Sequence, residues 1–196
     1  LLKWQLPDIK LAPQKTLLIY ASGKDRPGTP LYWYPVIDIG QNWKYMFPSS
    51  EPSPSWKSLI FDESGWLEGS SHIGLVDTLD TAINVQGKKS VFMRKKFTVS
   101  NLDDIKSLWL HMDYDDGFVA YINGTEVCRS QMGTYGTIIF YNHLANSHEA
   151  KIIHGGLAEG FNITKFLYLL RKKENVLAIH VHNPDSTAGD LAAIPF

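Results

Sequence analysis
Three carboxylates fall within four residues at Asp113, Asp115 and Asp116, directly ahead of Gly117. On an extended strand the side chains of 113 and 115 share a face, and 116 opens the turn into the glycine. Oxygen clusters of this kind supply the hard ligands that Ca2+ takes. Aspartate at a turn also does a simpler job: it accepts hydrogen bonds from backbone N–H groups that would otherwise go unpaired. Turn capping is the preferred reading, with Ca2+ coordination as the alternative.

His180 and His182 form the next constellation. Two imidazoles on one strand face can ligate a metal, but no acidic or histidine partner follows at ligand spacing. The pair reads instead as an exposed strand face near a turn. The other five histidines are scattered without ligand spacing. Glu51, Asp62, Glu63, Glu149 and Glu159 fall in apparent loops, and none shows the partner carboxylate that glycoside hydrolysis needs across a cleft. Cys128 is the single cysteine, so no intrachain disulfide or Cys-based zinc site can form. A lone Cys on a strand reads as packing, although neighbouring Arg129 would favour its thiolate. No phosphate-binding glycine loop and no nucleophile elbow is present.

Aromatic side chains can stack on the flat faces of sugars. Candidates are Tyr32, Trp33, Tyr34, Trp43 and Tyr45, and then Tyr114, Tyr135 and Tyr141. For any one of them, core packing is the competing role. The stretch 134–150 is long, aromatic and polar, and long loops on a rigid scaffold tend to carry function. Tyr135, Tyr141, Asn142 and His143 from this loop, together with Tyr114, form the expected carbohydrate-binding set.

The elements that must position these groups are mostly strands. SVFMRKKFTV (90–99) alternates, with Val91, Met93 and Phe97 on one face and Arg94, Lys96 and Thr98 on the other. KSLWLHMDY (106–114) is a second strand. GFVAYI (117–122) and EVCRS (126–130) flank Asn123-Gly124, a strong hairpin signal because both turn residues need positive φ. FNITKFLYLLRKKEN (161–175) predicts one short helix capped by Asn162 or Thr164, with basic residues at its end. NVLAIHVHN (175–183) closes the pattern. Short strands separated by turn signals predict a sandwich or barrel.

The domain reading has three parts. Residues 1–26 are short strands punctuated by Pro7 and Pro13. Residues 27–60 form a connector rich in Pro, Ser and aromatics. Residues 61–196 form the main β domain, whose start can extend back to about 36. Of the 196 residues, 44% are hydrophobic and the formal net charge is −1. That allows a packed core and gives no electrostatic footprint for nucleic acid or an anionic membrane. No run of about 18 apolar residues is present, so no membrane insertion is expected. The chain starts at Leu1 and reads as a piece of a longer protein.

The order SVFMRKKFTV, IKSLWLHMDYDDGFVAYINGTEVCRS, FNIT and ENVLAIHVHN resembles galactose-binding-like jelly-roll modules of bacterial secreted and cell-surface proteins, the type found with lamin-tail-like and CotH-like domains. It is more loosely similar to the sugar-binding domain at the front of family 2 glycoside hydrolases. Residues 3–26 look like the closing strands of a lamin-tail-like domain. The resemblance implies an all-β jelly-roll sandwich with one short helix. Its "S-S-D-L" ending reads Ala188-Gly189-Asp190-Leu191 here and implies that Asp190 joins Asp113, Asp115 and Asp116 at one end. The "DDG" is similar to a flocculin-type lectin, and sugar-binding sandwiches often pair such aspartates with Ca2+. The implied function is a non-catalytic carbohydrate-binding or accessory module of a larger protein, extracellular or on a cell surface. Its partners would be a glycan or cell-surface polysaccharide and the other domains of its own chain. A structural or adhesive spacer and a glycosidase-type enzyme are the alternatives.

Overall fold
The alternation of 90–99 makes one of the two longest strands in a computed structural model of the chain, which describes residues 33–71, 73–74, 81–82, 85, 87–185 and 190–196. The readings made for 1–26, for Tyr32, for most of 72–86 and for Ala188-Gly189 lie outside the described residues. Residues Val36–Phe196 form one compact unit. In chain order its strands are β1 (Asn42–Met46), β2 (Leu67–Ser70), β3 (Ile73–Gly74), β4 (Thr81–Ala82), β5 (Ser90–Val99), β6 (Trp109–Asp115), β7 (Gly117–Ile122), β8 (Thr125–Ser130), β9 (Glu159–Asn162), β10 (Lys173–His182) and β11 (Ala192–Pro195). They build a six-stranded sheet ordered β2-β1-β5-β10-β7-β8 and a five-stranded sheet ordered β4-β3-β11-β6-β9. The fold is an all-β jelly-roll sandwich of the galactose-binding-like kind. Among the described residues, no helix is long and apolar enough to cross a membrane.

Strand parity explains what the six-stranded sheet buries. Val91 and Met93 on β5, Phe118, Ala120 and Ile122 on β7, and Leu177, Ile179 and Val181 on β10 belong to the core shared with the second sheet. Leu110, Met112 and Tyr114 of β6 join the same cluster. Each large apolar side chain buried here stabilises the fold by roughly 2 kcal/mol. The intervening residues, Phe92, Val119, Tyr121 and Ala178, form a second cluster with Trp56 and Met132 on the outer face. This sheet is therefore buried on both sides.

Its outer cover comes from the segment read as a connector. Trp43 and Tyr45 lie on β1 within the sheet, and Trp56 sits in a 3-10 turn at Pro54–Lys57. All three are buried. Arg94 fastens this turn to the sheet. Its Nη1 donates to the carbonyl oxygens of Trp56 and Ser58, and its Nε donates to Glu63. The loop after β8 covers the rest of the face through Met132, Ile139, Tyr141 and Ala145.

The Asn-Gly turn forms as expected, with φ of 50° at Asn123 and 93° at Gly124. The Asn123 side chain also ties distant segments together, donating to Leu169 O and Asn175 Oδ1 and accepting from Val176 N. The short helix of 161–175 is a 3-10 helix at Thr164–Leu169, flanked by β9 and β10. The residues on either side pair in the two sheets, so ladder hydrogen bonds replace further helical turns.

Candidate functional site
The aspartates that look alike in sequence part company in space. Asp113 is 1% exposed, and its two carboxylate oxygens accept from the backbone N–H groups of Lys151 and Ile152 at 2.7 and 2.9 Å. It is a clamp for the 148–152 segment and is not brought together with the other three. Asp115, Asp116 and Asp190 do converge, each offering a carboxylate oxygen within 4.8 Å of the others. Asp115 and Asp116 are 4% and 3% exposed, whereas Asp190 is open to solvent.

The local chain course makes this cluster. Asp115 ends β6 opposite Ala192 of β11, which places the Asp190-Leu191 segment beside it. Asp116 turns the chain from β6 into β7, its own N–H donating to His182 O at 3.1 Å. Gly117 is required just after, because an added Cβ would lie 2.8 Å from the Ala145 side chain. Asp116 Oδ1 accepts from His148 N at 2.9 Å. Among the described residues, Asp115 Oδ1 and Asp116 Oδ2 are buried without a hydrogen-bond partner. Burial, followed by the adjacent Asp116 charge and carboxyl contact, pushes Asp115 up to about 8, and burial raises Asp116 as well. A proton shared between the two carboxyls would relieve their repulsion. A divalent cation would serve the same oxygens without that proton.

The segment beside the cluster forms an open cleft of about 470 Å³ lined by His148, Glu149, Lys151, His154 and Glu159 among others. The His148 ring stacks on Tyr114 at 4.1 Å. Its Nδ1 faces Tyr114 O at 3.0 Å and its Nε2 faces Glu159 Oε1 at 3.1 Å. Lys151 also bonds Glu159, and the bonds from Lys151, His148 and Tyr114 hold that carboxyl down at about 2 against a smaller opposing effect of burial. No sequence spacing announces this network, because its members come from β6, β9 and the loop between β8 and β9.

Of the expected carbohydrate-binding residues, Tyr114 is 1% exposed and packs on Phe118, Phe161 and His148. Its ring faces are covered by protein, which removes it from any stacking surface. Tyr141 is half-buried, while Asn142 and His143 are exposed. These three lie at the aspartate end, because Tyr141 O accepts from Ser90 Oγ and Ser90 pairs with His182, which pairs with Gly117. Tyr135 points the other way along β8, its hydroxyl donating to Glu126 O at 2.9 Å near the Asn-Gly turn.

The histidine pair corrects the sequence reading. His180 and His182 are 1% and 0% exposed rather than on an open face. They lie under Trp56, Phe92 and the 131–146 loop, a cover assembled from distant segments. Their hydrogen bonds run in one direction. His182 Nδ1 donates to His143 O at 2.9 Å, His180 Nδ1 donates to His182 Nε2 at 2.9 Å, and Tyr121 OH donates to His180 Nε2 at 3.2 Å. That chain satisfies every ring nitrogen with both imidazoles neutral. Burial drives both pKa values down, His182 to about 4. Cys128 is likewise inert: burial raises its thiol to about 12, and Arg129 is held by Glu126 through two bonds.

No protein-family model matches the chain, and no curated protein matches it. Solved structures do. A glycosyl hydrolase family 2 member from Bacteroides cellulosilyticus is 11% identical with a TM-score of 0.49, over 80% of this chain and 20% of that chain. A β-glycosidase from Bacteroides vulgatus is 12% identical with a TM-score of 0.47, over 82% and 20%. A calcium-binding mutant of Bacteroides uniformis β-glucuronidase 2 is 17% identical with a TM-score of 0.46, over 80% and 17%. The chain thus spans about a fifth of the length of these solved chains.

Proposed function
We propose that this is a non-catalytic carbohydrate-binding accessory module of a larger secreted or cell-surface protein, with a Ca2+ ion held by Asp115, Asp116 and Asp190. The observation that supports it is the convergence of two buried carboxyls, each with one oxygen lacking a hydrogen-bond partner, on a solvent-open third carboxylate. Burying such groups without a partner is costly, and a hard cation is the ligand that offsets the cost for several oxygens together. Asp190 lies on the open side, where water or sugar hydroxyls complete the coordination. Tyr141, Asn142 and His143 stand at the same end and offer the ring and polar contacts that a glycan takes. The other domains of the parent protein would carry any catalysis.

Affinity electrophoresis against a panel of neutral polysaccharides tests this reading. At least one polysaccharide should retard the protein in CaCl2, and Tyr141→Ala and Asp115→Asn should each reduce the retardation. Free migration on every polysaccharide, with Ca2+ present, would contradict the glycan role and favour a spacer domain.

A further inference from the structure
The end of the sandwich opposite the aspartates carries an aromatic surface of its own. Tyr135 and Tyr168 are 55% and 75% exposed. They come from the loop after β8 and from the Thr164–Leu169 3-10 helix. Lys165 links them. Its Nζ lies 5.9 Å from the centre of the Tyr135 ring and 4.9 Å from that of Phe166, whose ring is 6.5 Å from Tyr168. In a 3-10 helix residues i and i+3 eclipse, so Lys165 and Tyr168 share one edge. Phe166 is buried and forms the floor. Tyr135 is held in place by its hydroxyl bond to Glu126 O, which leaves a fixed ring beside the ammonium group.

The segment that carries Lys165 and Tyr168 is positively charged. Arg171 and Lys172 follow on the same segment and are exposed. The carboxylate of Glu126 is occupied by Arg129 at 2.6 and 2.7 Å. Glu174 is the single acidic residue in 161–175 against four basic ones. We propose that Tyr135, Tyr168 and Lys165 form a second, cation-independent binding surface for an acidic polysaccharide, with the tyrosine rings stacked on the sugar units and the basic groups facing their carboxylates. This deepens the carbohydrate-binding reading and rests on it for the ligand class, but it uses none of the aspartate-site residues.

The test is affinity electrophoresis of the full chain against polygalacturonate in EDTA, with Tyr168→Ala and Lys165→Gln. Both positions are exposed, so the variants keep the fold, which circular dichroism checks. Wild type should be retarded in EDTA. Tyr168→Ala should lower the affinity roughly fivefold, the value of one stacked aromatic pair. Added NaCl should weaken binding by screening the exposed charges. Free migration of wild type, or equal retardation of wild type and both variants, overturns the surface. Retardation seen only in CaCl2 and lost in Asp115→Asn also overturns it, and assigns the acidic chain to the aspartate end. Loss of neutral-polysaccharide binding in Tyr141→Ala belongs to the first reading and leaves this one standing.

Discussion

Asp113 and Asp115 stand two residues apart on β6, on the same face and almost equally buried, yet they are opposites. Asp113 uses its oxygens on two backbone N–H groups. Asp115 keeps one oxygen unpartnered and shares its surroundings with Asp116 and Asp190. The first carboxylate completes the fold. The second strains it unless a proton or a cation intervenes. Burial alone therefore does not mark a site; here the distinction comes from a missing hydrogen-bond partner together with two neighbouring carboxyls.

That contrast breaks most sharply by mutation. Asp113→Ala should cost about 3 kcal/mol of stability, because two buried N–H groups lose a charged acceptor. Urea denaturation measures this, and a loss below about 1 kcal/mol would remove the clamp role. Asp115→Asn should act with the opposite sign in EDTA, raising stability at pH 8 by about 2 kcal/mol, since it deletes a carboxyl whose ionisation is opposed in the folded state. The same variant should lose any stabilisation by CaCl2.

The pH dependence carries the same comparison in a smaller effect. Asp115 is raised to about 8 in the fold, above its unfolded value near 4. The folded state then holds more protons in that window, so metal-free stability falls as pH rises through it. The buried histidines slope the other way. With His182 lowered to about 4, their contribution is present above the unfolded value near 6.5 and is lost as pH falls toward 4. Among the described residues, Asp115 dominates the slope between pH 6.5 and 8. Stability in EDTA should decline across that window in wild type and decline less in Asp115→Asn. A flat wild-type profile would mean that the pair does not hold its proton. The smallest effect is expected at Asp190, which is exposed. Asp190→Asn should leave the melting temperature in EDTA almost unchanged and lower Ca2+ affinity, read by isothermal titration.

Much of the architecture was legible because it rests on local rules. The parity of 90–99 put Val91 and Met93 inward, and the Asn123-Gly124 turn has a mechanical requirement that few residue pairs meet. The aspartate cluster was half legible. Asp115 and Asp116 stand out in DYDDG and the family resemblance points to Asp190, but nothing in DYDDG distinguishes Asp113, because its partners, the amides of Lys151 and Ile152, lie nearly 40 residues away. The same limit hid the burial of His180 and His182. A strand face looks exposed in sequence until a distant segment covers it, and here Trp56 and the 131–146 loop supply the cover. Tyr114 shows the reverse case, an aromatic beside the hairpin that faces the core.

The most direct test is thermal unfolding of the 196-residue chain at pH 7.5 in EDTA and in excess CaCl2, side by side with Asp115→Asn. A ligand that binds only the folded state raises the melting temperature with its concentration. Wild type should gain stability with added Ca2+ and Asp115→Asn should not. Identical melting curves for wild type with and without Ca2+ would contradict a cation site at Asp115, Asp116 and Asp190.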